Sequence, residues 1–207
     1  MSKFEELHRL KEEMEKDDSL PLKSGATKLV FGVGNTEAKI LLIGEGPGFH
    51  EDATGEPFVG QAGKLLDKLL AIAGLERKQV FITNVVHHRP PENRDPEPSE
   101  ISAYGKYLDK MIEIINPEIV LTLGRFSMAK FLPFAKISSS HGKLERVNWK
   151  GTEIAVIPMY HPAASLRNGL VMAQEKMDFE KLPDMIKKFE EEKKKENEPK
   201  PEQETLI

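Results

Sequence analysis

The sequence predicts an α/β fold: a mostly parallel sheet with helices on both faces. Two observations carry the prediction. Four short apolar runs each end at or near a glycine or a polar residue, and amphipathic stretches of helical period separate them. Strands that alternate with helices pair in parallel, because each helical crossover returns the chain to the same end of the sheet before the next strand begins. At 207 residues, the chain is long enough for one sizeable core, predicted to span residues 1–189 as a single domain followed by a charged tail at 190–207.

The elements follow in order. Ser2 stands three residues before Glu5, a capping-box pattern, and Phe4, Leu7, Leu10 and Met14 recur at helical spacing, so the chain opens on a helix packed against the body. Residues 17–35 hold Pro21, Gly25, Gly32 and Gly34 and read as a surface loop. The run from Lys39 to Ile43, ending at Gly44, is a buried strand. The segment Gln61–Ala73 carries Leu65, Leu66, Leu69, Leu70 and Ile72 on a broad apolar face and stops at Gly74, as a crossover helix should. Val80–Asn84 is the second strand, followed by a proline-rich loop from His88 to Pro98 and a helix from Ser99 to Ile115. Glu118–Leu123 is the third strand and leads through Gly124 into a helix reaching Leu132. Gly151 turns the chain into the fourth strand, Glu153–Ile157. A final helix, Ala173–Glu192, is expected to be interrupted near Pro183, since proline removes a helical hydrogen bond. The charged, proline-containing stretch beyond it reads as disordered.

Composition excludes several kinds of chemistry. No cysteine is present, which removes disulfides, thiolate nucleophiles and thiolate metal ligation together. No apolar run approaches the roughly 20 residues needed to span a bilayer, and the N-terminal stretch lacks the apolar core of a secretory signal. No membrane association and a cytoplasmic location are therefore expected. Most of the net charge of −4 falls in the tail, so the body is near neutral and its basic residues can still gather on one face.

In an open parallel sheet, ligands bind beyond the carboxyl ends of the strands. After the first strand come Gly44, Glu45, Gly46, Pro47, Gly48 and Phe49, then Glu51, Asp52 and Phe58. After the second come Asn84, His87, His88 and Arg89. After the fourth come His161, Ser165, Leu166 and Arg167. GEGPG matches neither GxGxxG nor GxxxxGK[ST], and its carboxylate would repel phosphate. A neutral planar heterocycle suits these residues better: Phe58 offers a ring to stack on, Asn84 an amide that both donates and accepts, and His161 a donor. On composition alone, Phe58 is more often core, Asn84 a turn cap and the carboxylates solvated loop charges. The adjacent His87 and His88 point to opposite faces of an extended segment, which argues against a shared metal, and no metal site is expected.

Three blocks, GEGPGFHEDATGEPFVGQAGKLLD, ITNVVHHRPPENRDPEPSEI and MYHPAASLRN, resemble in order and spacing the successive signatures of the family 4 uracil-DNA glycosylases, the iron–sulfur type. The resemblance implies a three-layer α/β/α sandwich around a four-stranded parallel sheet. It implies hydrolysis of the N-glycosidic bond of uracil in single- or double-stranded DNA to leave an abasic site, as in base excision repair, with the nucleotide extruded for access. Under it, Phe58 stacks on uracil, Asn84 pairs with its N3 and O4 edge, and His161 donates to O2 as the leaving anion forms. Gly44, Gly46 and Asp52 join the uracil pocket. Gly46 stands where family 1 enzymes carry a water-activating aspartate, which leaves Glu45, Glu51 and Asp52 as candidates to orient water, with Glu45 and Glu51 favoured as catalytic. Arg89, Pro90, Pro91, Asn93 and Arg94 resemble the rigid loop that compresses the DNA backbone. Ser165, Leu166 and Arg167 resemble the segment that enters the minor groove.

Aligned on these blocks, the four cluster-ligand positions fall at Asp17, Leu20, His88 and Tyr104, so every ligand is replaced. No iron–sulfur cluster or other cofactor is expected; packing of Leu20 and Tyr104 and hydrogen bonds from Asp17 or His88 are expected to tie the same segments together. Gln203, Leu206 and Ile207 resemble the short motif by which bacterial repair proteins dock on the sliding clamp. The remaining expectations are a monomeric, nucleoid-associated prokaryotic protein and, as the rival to an enzyme, a module that binds uracil or single-stranded DNA with weak or no hydrolysis.

Overall fold

The computed structural model describes residues 1–197. Its centre is a six-stranded mixed sheet of order β1-β3-β2-β4-β6-β5. Four strands are parallel: β2 (Ile40–Gly44), β3 (Phe81–Asn84), β4 (Ile119–Leu123) and β6 (Thr152–Met159). These match the four expected strands. Two short antiparallel edge strands, β1 (Val33–Gly34) on β3 and β5 (Glu145–Trp149) on β6, enlarge the expected four-stranded sheet to six. β5 is largely solvent-facing and lacks the apolar run that marks its neighbours. Its signal lies in the turn: Lys150 (φ 49°) and Gly151 (φ 87°) are both left-handed, the geometry of a tight hairpin.

Helices cover both faces. α1 (Lys3–Lys16) opens with the expected capping box, Ser2 accepting from the Glu5 amide and Glu5 accepting from the Ser2 amide. It packs with α4 (Pro98–Ile115) and α5 (Arg125–Phe131) over one face, where Leu41, Ile43 and Val120 meet Leu10, Met14, Tyr107 and Met111. On the other face Leu42, Ile82, Leu121 and Ile157 meet Leu66 and Leu69 of α3 (Gln61–Ile72) and Phe179 and Leu182 of α8 (Gly169–Asn197). Neighbouring strand residues thus belong to opposite cores, as the period of two requires. Burial on both faces explains why these strands read as continuous apolar runs.

α8 departs from expectation at both ends and in the middle. It starts at Gly169 and runs through Pro183 to Asn197, so the first part of the expected tail is helical. Pro183 is exposed, while neighbouring Phe179 and Leu182 are buried against the sheet, so core packing carries the helix past the one hydrogen bond that proline removes. The clamp-like residues Gln203, Leu206 and Ile207 lie outside the described residues. No described helix is long and apolar enough to cross a membrane.

Candidate active site

The site grows from the ends of three parallel strands. Gly44 closes β2 and lies in register with Asn84, which closes β3. A Cβ at Gly44 would collide with the side-chain Oδ1 of Asn84 and come within 2.7 Å of the Phe58 ring. Only glycine lets an amide and an aromatic ring meet there. Asn84 is 1% exposed, and among the described residues its Oδ1 has no hydrogen-bond partner. A buried, unpaired acceptor costs stability unless something else supplies the missing donor.

Phe58 lies on the loop between α2 (Phe49–Thr54) and α3. Its backbone is left-handed, φ 55°, a costly conformation for a bulky residue. Three contacts hold it. The Arg77 guanidinium donates to the carbonyl of Phe58 and, at 3.3 Å, to that of Pro57. The Glu51 carboxylate accepts from the amides of Val59 (3.0 Å) and Gly60 (2.8 Å). Gly63 lies so close beneath the Phe58 carbonyl that any side chain there would overlap it. Arg77 carries no local signal that would reveal this role; Gly63, a glycine inside a helical pattern, does.

His161 follows β6 and caps α7 (Pro162–Ser165), its Nδ1 accepting from the Ala163 amide at 3.1 Å. An accepting Nδ1 leaves the proton of a neutral imidazole on Nε2, which is therefore a donor. Burial lowers its pKa to about 4, against an opposing pull from the Glu51 carboxylate and with a small further push from Arg167. The ring stacks on Phe58 at 30°, centroids 5.7 Å apart.

Glu45 is the carboxyl group with the most altered chemistry in the cleft. Desolvation raises its pKa to about 7, with Asp95 raising it further and Arg125 opposing. Asp95 and Arg125 are themselves ion-paired. Neither was anticipated from the sequence.

These groups line one cleft of about 350 Å³, whose wall includes Glu45, Gly46, Glu51, Phe58, Asn84 and His161. Pro90, Asn93, Arg94, Ala163 and Arg167 form its rim. Three other surface grooves are of similar or larger size, about 380 Å³ beside α1, about 530 Å³ near Lys23 and about 400 Å³ between Glu118 and Lys193. None of the three gathers a buried unpartnered amide, a ring and an imidazole, so chemistry rather than size distinguishes the site.

Several expected site residues stand elsewhere or do other work. Asp52 is buried but is not part of the cleft: its Oδ1 accepts from the amides of Thr27 (2.8 Å) and Lys28 (3.3 Å), tying down the loop before β1. That corrects its placement among uracil contacts. Glu51 reaches the cleft, but it also accepts from the Gly48 amide at 3.2 Å, so three backbone donors occupy its carboxylate. It shapes the Phe58 loop. Ser165 is 2% exposed and donates to the buried carboxyl of Glu175, which removes its hydroxyl from any DNA-facing surface. Leu166 (48% exposed) and Arg167 do face solvent. Arg94 is committed to a two-pronged pair with Glu100, at 2.6 and 2.8 Å. Arg89 donates to Asn93, and Pro90 is buried while Pro91 is exposed. The Pro91–Asn93 turn holds Glu92 and Asn93 at positive φ, a stiff conformation set before any ligand arrives.

A Cβ at Gly46 would approach Val86 to 2.7 Å, so an aspartate there would require that side chain to move.

The four positions aligned with cluster ligands form a protein-only joint. His88 Nδ1 and the Tyr104 hydroxyl are hydrogen-bonded at 2.8 Å. Asp17 accepts from Lys106 (2.8 Å), from Ser19 and from Tyr107 (2.7 Å), which hold its carboxyl well below the usual range. Leu20 is 3% exposed in the core. Packing and hydrogen bonds thus join the N-terminal segment, the loop after β3 and α4. Leu20 has no ligating atom, and Asp17, His88 and Tyr104 are engaged in hydrogen bonds within the protein, so this set does not fit an iron–sulfur cluster.

Residues 31–188 match the model of the uracil DNA glycosylase superfamily. The type-4 uracil-DNA glycosylase of Archaeoglobus fulgidus is 45% identical over 78% of this chain and 84% of its own length. That of Sulfurisphaera tokodaii is 44% identical over 88% and 86%, and that of Thermotoga maritima 43% over 76% and 81%. With the sheet, the cleft and these relatives in agreement, the chain belongs to the uracil DNA glycosylase superfamily.

Proposed function

We propose that the protein is a monofunctional uracil-DNA glycosylase that hydrolyses the N-glycosidic bond of uracil in DNA and leaves an abasic site. The observation that carries this is the unpartnered Oδ1 of Asn84, buried between Gly44 and the Phe58 ring. Uracil N3–H supplies the donor this oxygen lacks, and the amide nitrogen can return a hydrogen bond to O4. Cytosine offers an acceptor at N3 and donors at N4, so it mismatches both atoms, at ~1–3 kcal/mol for each buried group left unpaired.

The chemistry follows from the same residues. Water oxygen forms a bond to the sugar C1′ as the C1′–N1 bond breaks, and the electron pair of that bond leaves on uracil, spread over N1 and O2. The Nε2–H of neutral His161 donates to O2 and stabilises this charge without first giving up its proton. Glu45, half-buried with a pKa near neutrality, accepts the water proton or orients the water. Glu51 acts through the loop it braces rather than on the water. Phe58 holds the base by stacking, and Leu166 and Arg167 occupy the strand-facing rim. No cofactor is needed for any step, and we infer that the enzyme works without a cluster, the His88–Tyr104 and Asp17–Tyr107 bonds serving as its scaffold.

Release of free base from oligonucleotides carrying uracil, cytosine, thymine or hypoxanthine at one position tests the reading. Uracil alone should be released at an appreciable rate. Tight binding of uracil-DNA without release would favour the binding-module alternative.

A further inference from the structure

One aromatic ring and one cation stand beside the cleft, each next in sequence to a residue that lines it. Phe49, the first residue of α2, is 61% exposed. The Arg89 guanidinium lies over its ring, 5.3 Å from the centroid, and Arg89 Nε donates to Asn93 at 2.7 Å. His50 meets the ring edge-on at 5.5 Å. Among the described residues, Arg89 makes no ion pair, so its charge remains available. A lone exposed phenylalanine needs no explanation; the position of this one does. Gly48, just before it, and Pro90, just after Arg89, both line the cleft.

Sheet order sets the direction. Phe49 and Arg89 follow β2 and β3, whereas Leu166 and Arg167 follow β6, which β4 separates from β2. A DNA strand that delivers one nucleotide to the cleft must continue on both sides. On the β6 side it meets Leu166 and Arg167. On the β2–β3 side it meets a ring that offers stacking surface and a cation that offers phosphate contacts, the pairing by which proteins hold single strands without reading sequence.

We propose that Phe49 and Arg89 form a second nucleotide subsite, which takes the residue adjoining the extruded uracil on a single strand, its base stacked on Phe49 and its phosphate on Arg89. The subsite rests on the uracil-DNA reading of the cleft and extends it. In a duplex the neighbouring base stays stacked within the helix and cannot reach Phe49, so the subsite favours single-stranded substrate.

The test uses the full chain with single-stranded uracil oligonucleotides whose flanking positions carry, in turn, a normal base or an abasic tetrahydrofuran residue. Equilibrium binding is measured for the wild type, Phe49→Ala and Phe49→Trp. Removing the flanking base on one side should weaken wild-type binding ~10-fold, as loss of one base–aromatic stack does, and should leave Phe49→Ala insensitive, while Phe49→Trp behaves as wild type. Equal sensitivity of wild type and Phe49→Ala to the missing base, on either side, overturns the proposal. Uracil release by the wild type, followed in the same samples, separates the two readings. Release without coupling rejects the subsite alone; coupling without release rejects the glycosylase reading and keeps single-strand binding.

Discussion

Replacing Asn84 by alanine should separate activity from stability. In the free protein, Asn84 Oδ1 is buried and unpartnered, so its removal takes away a group that already carries a desolvation cost. The amide borders the cleft, so its truncation enlarges an open space rather than leaving a sealed void, and the fold should lose little. In the complex the balance reverses. Uracil N3–H and O4 would both lose a partner in a site closed to water, and each unpaired group costs ~1–3 kcal/mol. Two such groups sum to roughly 2–6 kcal/mol, a loss of ~30-fold or more in kcat/KM, since each 1.4 kcal/mol is tenfold. The assay is kcat/KM for uracil release from a single-stranded oligonucleotide, with the thermal midpoint measured on the same preparation. A loss below ~5-fold would refute the recognition argument. So would a fall of ~10 °C in the midpoint, because Asn84 would then be holding the fold together rather than waiting for a ligand.

The raised pKa of Glu45 predicts that activity rises with pH through about 7 as the carboxylate forms, and Glu45→Gln should lower the rate and abolish that limb. His161 should not titrate above pH ~5, its pKa being lowered to about 4, and His161→Ala should reduce kcat by ~10²-fold or more through loss of the donor to O2. Stability should fall as pH drops from 6.5 toward 4, because buried His87, His88 and His161, with pKa values lowered to about 3, 4 and 4, bind fewer protons folded than unfolded, each adding up to ~1.4 kcal/mol per pH unit. Glu45 and Glu175, raised to about 7, act in the opposite sense between 4.5 and 7, so chemical denaturation across this range should show a net slope near that of one histidine. Tyr104→Phe should strand the buried His88 nitrogen and cost ~1–3 kcal/mol, whereas prolonged chelator treatment should leave the thermal midpoint unchanged.

Much of the fold was legible because the four parallel strands are buried on both faces and therefore apolar throughout. β5 was not, because an exposed edge strand carries polar residues such as Glu145, Arg146 and Asn148 and leaves only its turn as a signal. The passage of α8 through Pro183 was also hidden, since the packing of Phe179 and Leu182 that holds the helix there is a tertiary fact. At the site, the strand ends located Gly44, Glu45, Asn84 and His161, but residue type could not separate carboxylates that face the cleft from those that brace its walls. Asp52 and Glu51 lie one residue apart on one short helix, yet the first turns to the Thr27 amide and the second to the Phe58 loop. Arg77, which holds the strained Phe58 backbone from far along the chain, is visible only once the loop has closed on α3.

The central claim is that the Gly44–Asn84–Phe58–His161 cleft hydrolyses the glycosidic bond of uracil in DNA without a metal cluster. The most direct measurement is single-turnover incubation of chelator-treated full-length protein with a single-stranded uracil oligonucleotide, following free uracil and alkali-labile abasic sites together. The account predicts one uracil and one abasic site per oligonucleotide, from protein with no visible iron–sulfur absorption before treatment. Intact DNA at stoichiometric protein, or activity that disappears on chelation and returns with iron and sulfide, would contradict it.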